Sequence, residues 1–419
     1  MKVLIYSDCY IYGGSERLMS FLLKNKKIND EFDLVFAFRN HKEYREGLLN
    51  DFKNLKINIK PHPLFVLSNA TLFYKLNSLK ISQVLKNIIK IPFFILQVSG
   101  LYFLFNFFTF IFFIKKINPH IIHVNNGGYP GASSCNHLVF AARFINLNSI
   151  IYQVNNIAFP TTNSLRRLYD KLLNRYVKYF ITASTKAKDA LVENRNFNPK
   201  KIVQIPNTIL LEKLTAKRED ILKIYKWKDD TFLLVQVAFL TNRKGQLYLL
   251  KAINEIRKQT ITGLSEKIKL ILVGNGEDKS ILRRYVTENN LDDIIIFAGY
   301  QPDSVNYINA CDAFVLPSIA NEDMPLSLLT AMSLGKPIVT TNFAGIAEAI
   351  INNKNGLLLD PKTECLSNNL STSIIELYKN PALRLELGKN ACSTFNNKYS
   401  EDIYAQRIIN LYKSSLNAV

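Results

Sequence analysis

The chain has 419 residues, with 53 Lys and Arg against 34 Asp and Glu, which gives a net charge of +19. This length exceeds what one hydrophobic core normally supports, so we expect two domains of roughly 200 residues each. The excess of cations favours phosphorylated ligands or an anionic membrane surface as partners. Because basic residues do not alternate with aromatic ones as they do in RNA-binding motifs, no nucleic-acid partner is expected.

The cysteines indicate a reducing compartment. They are few and far apart, and none forms a Cys-x-x-Cys pair: Cys9, Cys135, Cys311, Cys365 and Cys392. Such a set suits neither a disulfide framework nor a structural metal site. The apolar run at the N-terminus is too short for the core of a signal peptide, so we expect a cytoplasmic protein.

The N-terminal half predicts a doubly wound α/β domain. A strand over residues 2–7 leads into the glycine turn Gly13-Gly14 and a helix over residues 15–24, an order typical of such domains. Further short strands are predicted at 33–38, 121–124 and 150–154. Because ligands bind at the carboxyl ends of the strands in these domains, the loops after them are candidate sites.

A strongly apolar segment interrupts this half. Residues 52–169 contain no Asp or Glu, and within them residues 91–114 are uncharged and rich in Phe. A helix of that length can span a bilayer, but a crossing would put two parts of one domain on opposite sides of the membrane. We expect a helix or helical hairpin that packs on the domain by a polar stripe and dips into the membrane, with a buried core helix as the alternative. The stripe consists of Ser99, Tyr102, Asn106 and Thr109.

The second half repeats the alternation of strands and helices. Strands are predicted at 232–237, 269–273, 294–297, 313–316, 337–340 and 356–359. We therefore expect an α/β fold of two Rossmann-like domains that face a cleft. Residues 1–207 would form the N-terminal domain, residues 208–395 the C-terminal domain, and residues 396–419 a helix that returns to the first.

Two loops of the second half join a strand to a helix start through glycine. Arg243, Lys244 and Gly245 place two cations beside a helix N-terminus, which predicts an anion site, although an isolated basic turn is often only solvated. Gly274-Asn275-Gly276 is weaker, because a Gly-x-Gly sequence alone often means only a tight turn.

A third loop combines a carboxylate with a helix start. After the strand that ends at residue 316, an acidic loop leads to Pro325, where a helix is expected to begin with its first amides pointing toward Glu322. Taken alone, such a carboxylate is more often a structural cap.

The ordered set of motifs resembles the retaining family-four glycosyltransferases of the GT-B fold over nearly the whole chain. The matching segments are 13–17 (GGSER), 119–126 (PHIIHVNN), 273–276 (VGNG), 298–300 (AGY), 312–318 (DAFVLPS) and 344–348 (AGIAE). The resemblance implies a hexosyltransferase that uses a nucleotide-sugar donor and no cofactor. No Asp-x-Asp sequence occurs in the chain, so metal independence is also expected.

The resemblance also implies which residues form the site. Lys244 would bind the donor diphosphate and Glu322 would face the transferred sugar, so these two are the expected catalytic residues. Gly13 and Gly14 would let the backbone approach the phosphates, whereas Glu16 would be a helix-start residue. The other implied substrate-binding residues are Asn125, Asn155, Arg243, Gly274, Asn275, Met324, Pro325, Leu326, Ser327 and Thr330.

Three positions depart from the family pattern. Phe239 stands where the family usually has a phosphate-binding Arg, and Arg243 would substitute only if it points inward. Thr330 stands where the family has a second Glu on the nucleotide ribose, and loss of a charge-assisted contact costs roughly 1.5–3 kcal/mol. A milder departure is Asn155-Asn156, where many relatives carry a His.

The N-terminal half offers few groups that could serve an inverting enzyme as general base. They are Asp8, Glu16, His62, His123 and His137. His123 lies in an apolar strand and is expected to be a core histidine. This scarcity favours a retaining route in which the leaving diphosphate accepts the acceptor's proton, while Lys244, helix N-termini and glycine-loop amides stabilise its charge.

Together these features predict a glycosyltransferase peripherally associated with the inner face of the cell membrane. It would move a sugar to a lipid-linked glycan acceptor of the cell envelope, with a nucleotide sugar and an anionic membrane surface as its other partners. Phe239 and Thr330 motivate an alternative, a catalytically degraded homologue that serves as a scaffold or binding subunit. A GT-B enzyme of another kind, such as a sugar-nucleotide epimerase, agrees less well with the membrane-like segment.

Overall fold

The computed structural model describes residues 1–9, 12–79, 81–211, 213–259 and 264–417. The chain divides into two compact units, one comprising Met1–Pro206 with the residues from Asp402 onward and the other comprising Asn207–Glu401. The first division thus lies one residue before the expected boundary at 207. The second lies after the expected boundary at 395, because the helix that begins at Pro381 continues to Lys398.

The first unit is built on seven strands. They are β1 Lys2–Asp8, β2 Asp33–Arg39, β3 His62–Leu64, β4 Ile121–Asn126, β5 Ile150–Val154, β6 Tyr179–Thr182 and β7 Ile202–Gln204. They form one parallel sheet in the order β3-β2-β1-β4-β5-β6-β7. The loops that follow β1, β4 and β5 therefore lie side by side at the carboxyl edge of the sheet, where doubly wound domains bind ligands.

Helices cover this sheet. They are α1 Gly14–Lys24, α2 Lys26–Glu31, α3 Lys42–Leu55, α4 Ala70–Ser78, α5 Gln83–Val98, α6 Leu101–Ile117, α7 Ser133–Phe144, α8 Ser164–Tyr176 and α9 Thr185–Arg195. Helices α6 to α9 pack on one face, where Phe110, Leu138, Leu173 and Leu191 join Tyr6 in one apolar core.

The predicted apolar segment forms two helices that differ in environment. The chain breaks at Ser99-Gly100, and the axes of α5 and α6 are bent by 54° there. Within the described ranges no single helix is long and apolar enough to cross a bilayer, although this bent pair passes that test by length and composition. Helix α5 has no buried side chain, whereas Phe110, Ile111 and Ile114 of α6 lie in the core. The buried-helix alternative therefore holds only for the end of α6.

The polar stripe packs on the unit through two of its four members. Asn106 is buried, and its side chain accepts from the Leu67 amide at 2.7 Å and contacts His137 Nδ1 at 3.1 Å. The Tyr102 hydroxyl donates to Asn69 Oδ1 at 2.9 Å. By contrast, Ser99 and Thr109 donate to carbonyls of their own helices.

The second unit repeats the architecture. Its strands are β8 Phe232–Val237, β9 Ile268–Val273, β10 Ile295–Gly299, β11 Ala313–Leu316, β12 Ile338–Thr341 and β13 Leu357–Leu359. They form a parallel sheet in the order β10-β9-β8-β11-β12-β13. The six strands predicted for this half are confirmed, and each of the two units is Rossmann-like.

The remaining helices follow in chain order. They are α10 Arg218–Ile224, α11 Gln246–Lys258, α12 Leu264–Lys267, α13 Lys279–Glu288, α14 Ser304–Ala310, α15 Leu326–Ser333, α16 Ile346–Ala349, α17 Thr363–Lys379, α18 Pro381–Lys398 and α19 Glu401–Asn417. All except the last belong to the second unit. Helix α19 belongs, from Asp402, to the first unit, where Tyr412 packs edge-on against Phe32.

A buried hydrogen-bonded histidine ties α19 to the sheet of the first unit. His123 Nε2 lies 3.1 Å from Gln153 Oε1, and His123 Nδ1 lies 2.7 Å from the Tyr412 hydroxyl. Burial lowers the pKa of His123 to about 4, so the ring is neutral. Because Gln153 Oε1 can only accept, Nε2 carries the proton and Nδ1 accepts from Tyr412. The expectation that His123 is a core histidine is confirmed.

Replacing Tyr412 by Phe is expected to destabilise the chain. The change removes the donor to His123 Nδ1 and leaves a buried acceptor unsatisfied, so the free energy of unfolding should fall by about 1–3 kcal/mol. Urea denaturation measures the difference. The matched control is Tyr404→Phe in the same helix, because the buried Tyr404 hydroxyl has no hydrogen-bond partner among the described residues. Equal losses in the two variants would show that the bond to His123 contributes nothing.

Candidate functional site

Two neighbouring loops of the second unit are pressed together at the carboxyl edge of its sheet. They follow the adjacent strands β8 and β11. Gly245 has φ +70°, and a Cβ atom at this position would lie 1.9 Å from the carbonyl oxygen of Pro317. The Ile319 amide donates to the Arg243 carbonyl at 2.8 Å. Only glycine permits this approach, and the approach brings the cations of one loop to the carboxylate of the other.

Lys244 and Glu322 form a buried ion pair at this junction. The Lys244 ammonium donates to Glu322 Oε2, and the two residues are 6% and 8% exposed. Burial lowers the pKa of Lys244, and the nearby Arg243 guanidinium lowers it further. The negative charge of Glu322 opposes both effects, because an opposite charge in contact favours the ionised form. The two predicted catalytic residues thus lie together.

Arg243 turns toward the same carboxylate. Its Nη1 donates to the Asn321 carbonyl at 3.1 Å and lies 3.6 Å from Glu322 Oε2. The guanidinium thus turns toward the loop of Glu322, and that Arg243 replaces the missing cation at Phe239 remains a prediction. Phe239 itself is exposed in the loop after β8, and its carbonyl accepts from Gln246 Nε2.

The loop after β9 approaches the loop after β8 from the other side. A Cβ atom on Gly274, where φ is +135°, would lie 2.0 Å from the Ala238 carbonyl oxygen. The Leu240 amide donates to the Asn275 carbonyl at 3.0 Å, and Asn275 Oδ1 accepts from Lys279 Nζ. The glycine is therefore required by close packing. The helix expected directly after this glycine loop begins later than predicted, at Lys279.

The loop that carries Glu322 leads into the first turn of α15. Pro325 is its N-cap and the helix begins at Leu326, one residue after the predicted start. The amides of Leu326 and Ser327 have no carbonyl partner within the helix, as at any helix N-terminus. Met324 is buried, and its carbonyl accepts from Asn207 Nδ2 at 2.8 Å. Thr330 donates its hydroxyl to the Leu326 carbonyl at 2.9 Å, so that proton is already used.

In the first unit, the predicted Asn125 and Asn155 bond to each other. Asn155 Nδ2 donates to Asn125 Oδ1 at 2.7 Å, Asn125 Nδ2 donates to Ser7 Oγ at 3.0 Å, and Asn155 Oδ1 accepts from Gln153 Nε2 at 2.9 Å. These bonds hold together the ends of β1, β4 and β5. That either amide contacts a substrate remains a prediction.

Glu16 is more deeply involved in the glycine loop than the sequence indicated. It caps α1 as expected, with Oε2 accepting from the Gly13 amide at 3.0 Å and Oε1 from Ser15 Oγ at 2.7 Å. It is also fully buried near Gly127, which follows β4. Burial raises the pKa of Glu16 to about 7, although the bonds from Ser15 and Gly13 oppose the shift. The burial depends on distant chain segments, so nothing near Glu16 in the sequence signals it.

A second buried feature at this edge was not anticipated. Asp8 Oδ1 pairs with Arg39 Nε at 2.5 Å, and Asp8 Oδ2 accepts from Ser134 Oγ. The partners lie in three separate elements, so local sequence gives no signal for the pair. Within the described ranges, no group of three His, Cys, Asp or Glu residues is arranged to hold a metal ion.

Comparison with known proteins places these loops in context. Residues 217–394 match the family model for glycosyl transferases group 1. An uncharacterized glycosyltransferase of Methanocaldococcus jannaschii is 26% identical over 406 residues, which cover 93% of each chain. The Escherichia coli UDP-Gal:α-D-GlcNAc-diphosphoundecaprenol α-1,3-galactosyltransferase is 29% identical over 261 residues, 59% of this chain and 64% of the relative.

The fold is also shared with a solved structure. The crystal structure of Anabaena HepE in complex with UDP aligns with a TM-score of 0.72 at 17% identity, covering 99% of this chain and 100% of that one. At this identity the likeness concerns the fold. The match of residues 217–394 covers the loops around Lys244 and Glu322.

Replacing Glu16 by Gln is expected to change how stability depends on pH. The carboxyl binds its proton more tightly in the folded chain, with a pKa of about 7 against an ordinary 4.5. Its contribution to the free energy of unfolding is therefore full below pH 4.5 and is lost as the pH rises through 7. The variant lacks this titration, so its stability relative to the wild type should rise by about 2 to 3 kcal/mol between pH 5 and pH 8.

Chemical denaturation at several pH values measures this difference. Glu46→Gln is the control, because Glu46 lies exposed on α3. A constant difference between wild type and Glu16→Gln across the range would contradict the raised pKa.

Proposed function

We propose that this chain transfers a hexose from a UDP-sugar to a lipid-linked acceptor. Its residues 217–394 match the family model for glycosyl transferases group 1, and its two units are Rossmann-like, as in the GT-B fold. The E. coli relative is named for UDP-Gal and a diphosphoundecaprenol acceptor, and HepE was crystallised with UDP. Transfer proceeds with retention of configuration and without a metal, at the inner face of the cell membrane, in the synthesis of a cell-envelope glycan.

The observation that carries the donor site is the pairing of Lys244 with Glu322. Two cations, Arg243 and Lys244, meet the carboxylate of Glu322, whose loop leads into the first turn of α15. A diphosphate bound here takes the ammonium of Lys244 as its partner, and Glu322 then accepts a hydroxyl of the sugar. Preorganised cations and amides stabilise the charge that develops on the leaving diphosphate.

Retention is supported by the state of the candidate bases in the first unit. Each is engaged or set apart: Asp8 pairs with Arg39, Glu16 caps α1, His123 bonds to Gln153, His137 contacts Asn106, and His62 lies on the edge strand β3. A route in which the leaving diphosphate accepts the acceptor's proton needs none of them. The charge on that diphosphate is met by Arg243 and Lys244, so the step requires no metal.

A non-catalytic scaffold is the second candidate, and two positions favour it. Phe239 brings no cation to the site, and the Thr330 hydroxyl is bonded within its own helix. Arg243 compensates for the first, since its guanidinium faces the Glu322 carboxylate. The enzyme is therefore preferred.

Calorimetric titration with UDP-, GDP- and ADP-sugars in EDTA tests the donor site. We expect the UDP-sugar to bind the wild type, and Lys244→Ala to weaken binding about tenfold to 100-fold, because charge-assisted contacts are lost. Lys251→Ala, an exposed lysine of α11, is the control. Glu322→Gln should lower kcat about 100-fold or more.

The product distinguishes the candidates further. NMR of the new linkage should give the anomeric configuration of the donor, and inversion would exclude the proposed route. Absence of turnover and of binding to every donor in a folded protein would favour the scaffold. Activity that requires a divalent metal would contradict metal independence.

The apolar segment supports peripheral membrane association through α5 and the start of α6. Ile91, Phe94, Ile95 and Val98 recur at helical spacing on α5 and are all exposed. Lys86 and Lys90 precede them, Lys115 and Lys116 follow in α6, and this part of the chain has no acid. An apolar stripe flanked by lysines suits the interface of an anionic bilayer.

Polar substitutions on this stripe should release the protein from vesicles. In Phe94→Ser with Val98→Ser, two exposed apolar side chains lose the gain from burial in lipid, about 1.5–3 kcal/mol each. Partitioning onto phosphatidylglycerol vesicles, measured by flotation, should fall at least about tenfold. Leu211→Ser with Leu385→Ser removes equally exposed leucines from the second unit as the control. Equal flotation of all three proteins would contradict the model.

A further inference from the structure

Helix α8 exposes an apolar and cationic surface at the carboxyl edge of the first unit's sheet. Leu165 is 77% exposed and Leu168, one turn later, is 55% exposed, while Phe159 in the preceding loop is 48% exposed. Arg166 and Arg167 lie exposed between the two leucines. We call these five residues, Phe159, Leu165, Arg166, Arg167 and Leu168, the α8 patch. It is separate in sequence from α5 and α6 and plays no part in the donor site.

The cations of the α8 patch are not neutralised by their own helix. Asp170 is the one acid of α8, and it is buried, facing inward. Its carboxylate pairs with Arg195 Nη2 at 2.8 Å and accepts from the Tyr129 hydroxyl. No ion pair of Arg166 or Arg167 occurs among the described residues. The charged side chains on the outer face of α8 are therefore all cations.

The same buried ion pair fixes where the patch lies. Arg195 also donates through Nη1 to the Phe159 carbonyl at 3.3 Å, and Asn194 donates to the Ala158 carbonyl at 2.8 Å. Asn156 bonds in both directions to the backbone of Tyr129, in the loop after β4. The loop that carries Phe159 is thus held against the loops at the ligand-binding edge of the sheet.

The start of the helix is held as well. Asn163 Oδ1 accepts from the Arg166 amide at 3.0 Å, which caps α8. Arg167 Nε donates to the Thr161 carbonyl at 3.3 Å. This bond uses the Nε donor of the guanidinium, and the N–H groups of its two terminal nitrogens are additional donors.

We propose that the α8 patch binds the diphosphate and the first part of the hydrocarbon chain of a lipid-linked acceptor. This rests on the proposed function and adds the place where the acceptor is held. Guanidinium groups suit phosphate oxygens, which they can contact in pairs, and Phe159, Leu165 and Leu168 offer apolar area to the chain. A nucleotide sugar would satisfy only the arginines, and an uncharged lipid only the apolar residues.

Kinetics with two acceptors test the proposal. One carries its sugar on undecaprenyl diphosphate, and the other is the same sugar on a short uncharged alkyl group. In Arg166→Gln with Arg167→Gln, we expect KM for the diphosphate acceptor to rise at least about tenfold, with kcat and UDP binding unchanged. KM for the alkyl acceptor should not change. Lys171→Gln with Arg175→Gln removes the same charge from the same helix as the control.

The leucines are tested in the same assay. Leu165→Asn with Leu168→Asn should raise KM for the undecaprenyl acceptor about tenfold, because apolar area no longer meets the chain. If KM for the undecaprenyl acceptor stays within twofold of the wild-type value in both double variants, the proposal is overturned. Turnover by the wild type would still establish the glycosyltransferase activity. UDP binding in each variant confirms that the protein is folded.

A general affinity for anionic lipid is the competing explanation. Flotation compares phosphatidylcholine vesicles that contain undecaprenyl diphosphate with vesicles that contain phosphatidylglycerol at equal surface charge. The arginine variant should lose binding to the first more than to the second. An equal loss on both vesicle types would assign the patch to the membrane surface and overturn its role in holding the acceptor.

Discussion

The contact between Gly245 and Pro317 is the constraint on which the site of the second unit depends. The β8 loop and the β11 loop belong to adjacent parallel strands, so their backbones leave the sheet side by side. A side chain at position 245 would occupy the space of the Pro317 carbonyl. Because the two loops are in van der Waals contact, the Lys244 ammonium donates directly to the Glu322 carboxylate. The pair is buried, and electrostatic interactions are stronger there than in water. The close contact of the two loops also brings the Arg243 guanidinium to the acidic loop, near Glu322.

The strands could be read from the sequence because parallel strands covered on both faces are nearly continuous apolar runs. The runs Val3-Leu4-Ile5 and Leu233-Leu234-Val235 are buried strands. Helix boundaries were less predictable, since α13 begins at Lys279, three residues after Gly276, and not directly after the glycine loop. That Lys244 and Glu322 belong to one site was expected only from a family resemblance, because the two residues are 78 positions apart, and their ion pair was not predicted. The burial of Glu16 depends on tertiary packing, and so does the ion pair between Asp8 and Arg39. No local sequence pattern predicts either feature.

The apolar segment shows how one composition can serve two environments. Its residues are similarly apolar throughout, yet the end of α6 lies in the core and α5 lies outside it. The break at Ser99-Gly100 and the anchors at Asn69 and Asn106 decide which part is covered. A hydropathy profile averages over α5 and α6, so it identifies the apolar segment but does not show which of the two helices is buried. Large apolar surfaces left exposed on a folded domain usually mark an interaction site.

Charge links the two substrates proposed here. A transferase that moves a sugar from a nucleotide sugar to a lipid diphosphate must bind two diphosphates. In the first unit, residues 52–169 contain no acid, so their cations create a positive electrostatic potential that favours one of these diphosphates. In the second unit, the cations that face Glu322 are the buried Lys244 and the partly exposed Arg243, so the loss of either leaves little redundancy. The replacement at Phe239 therefore matters more than a surface substitution would, since each cation at these loops can make a charge-assisted contact. The orientation of Arg243 toward Glu322 gives the site a second cation despite that replacement, and for this reason Phe239 does not by itself indicate a lost enzyme.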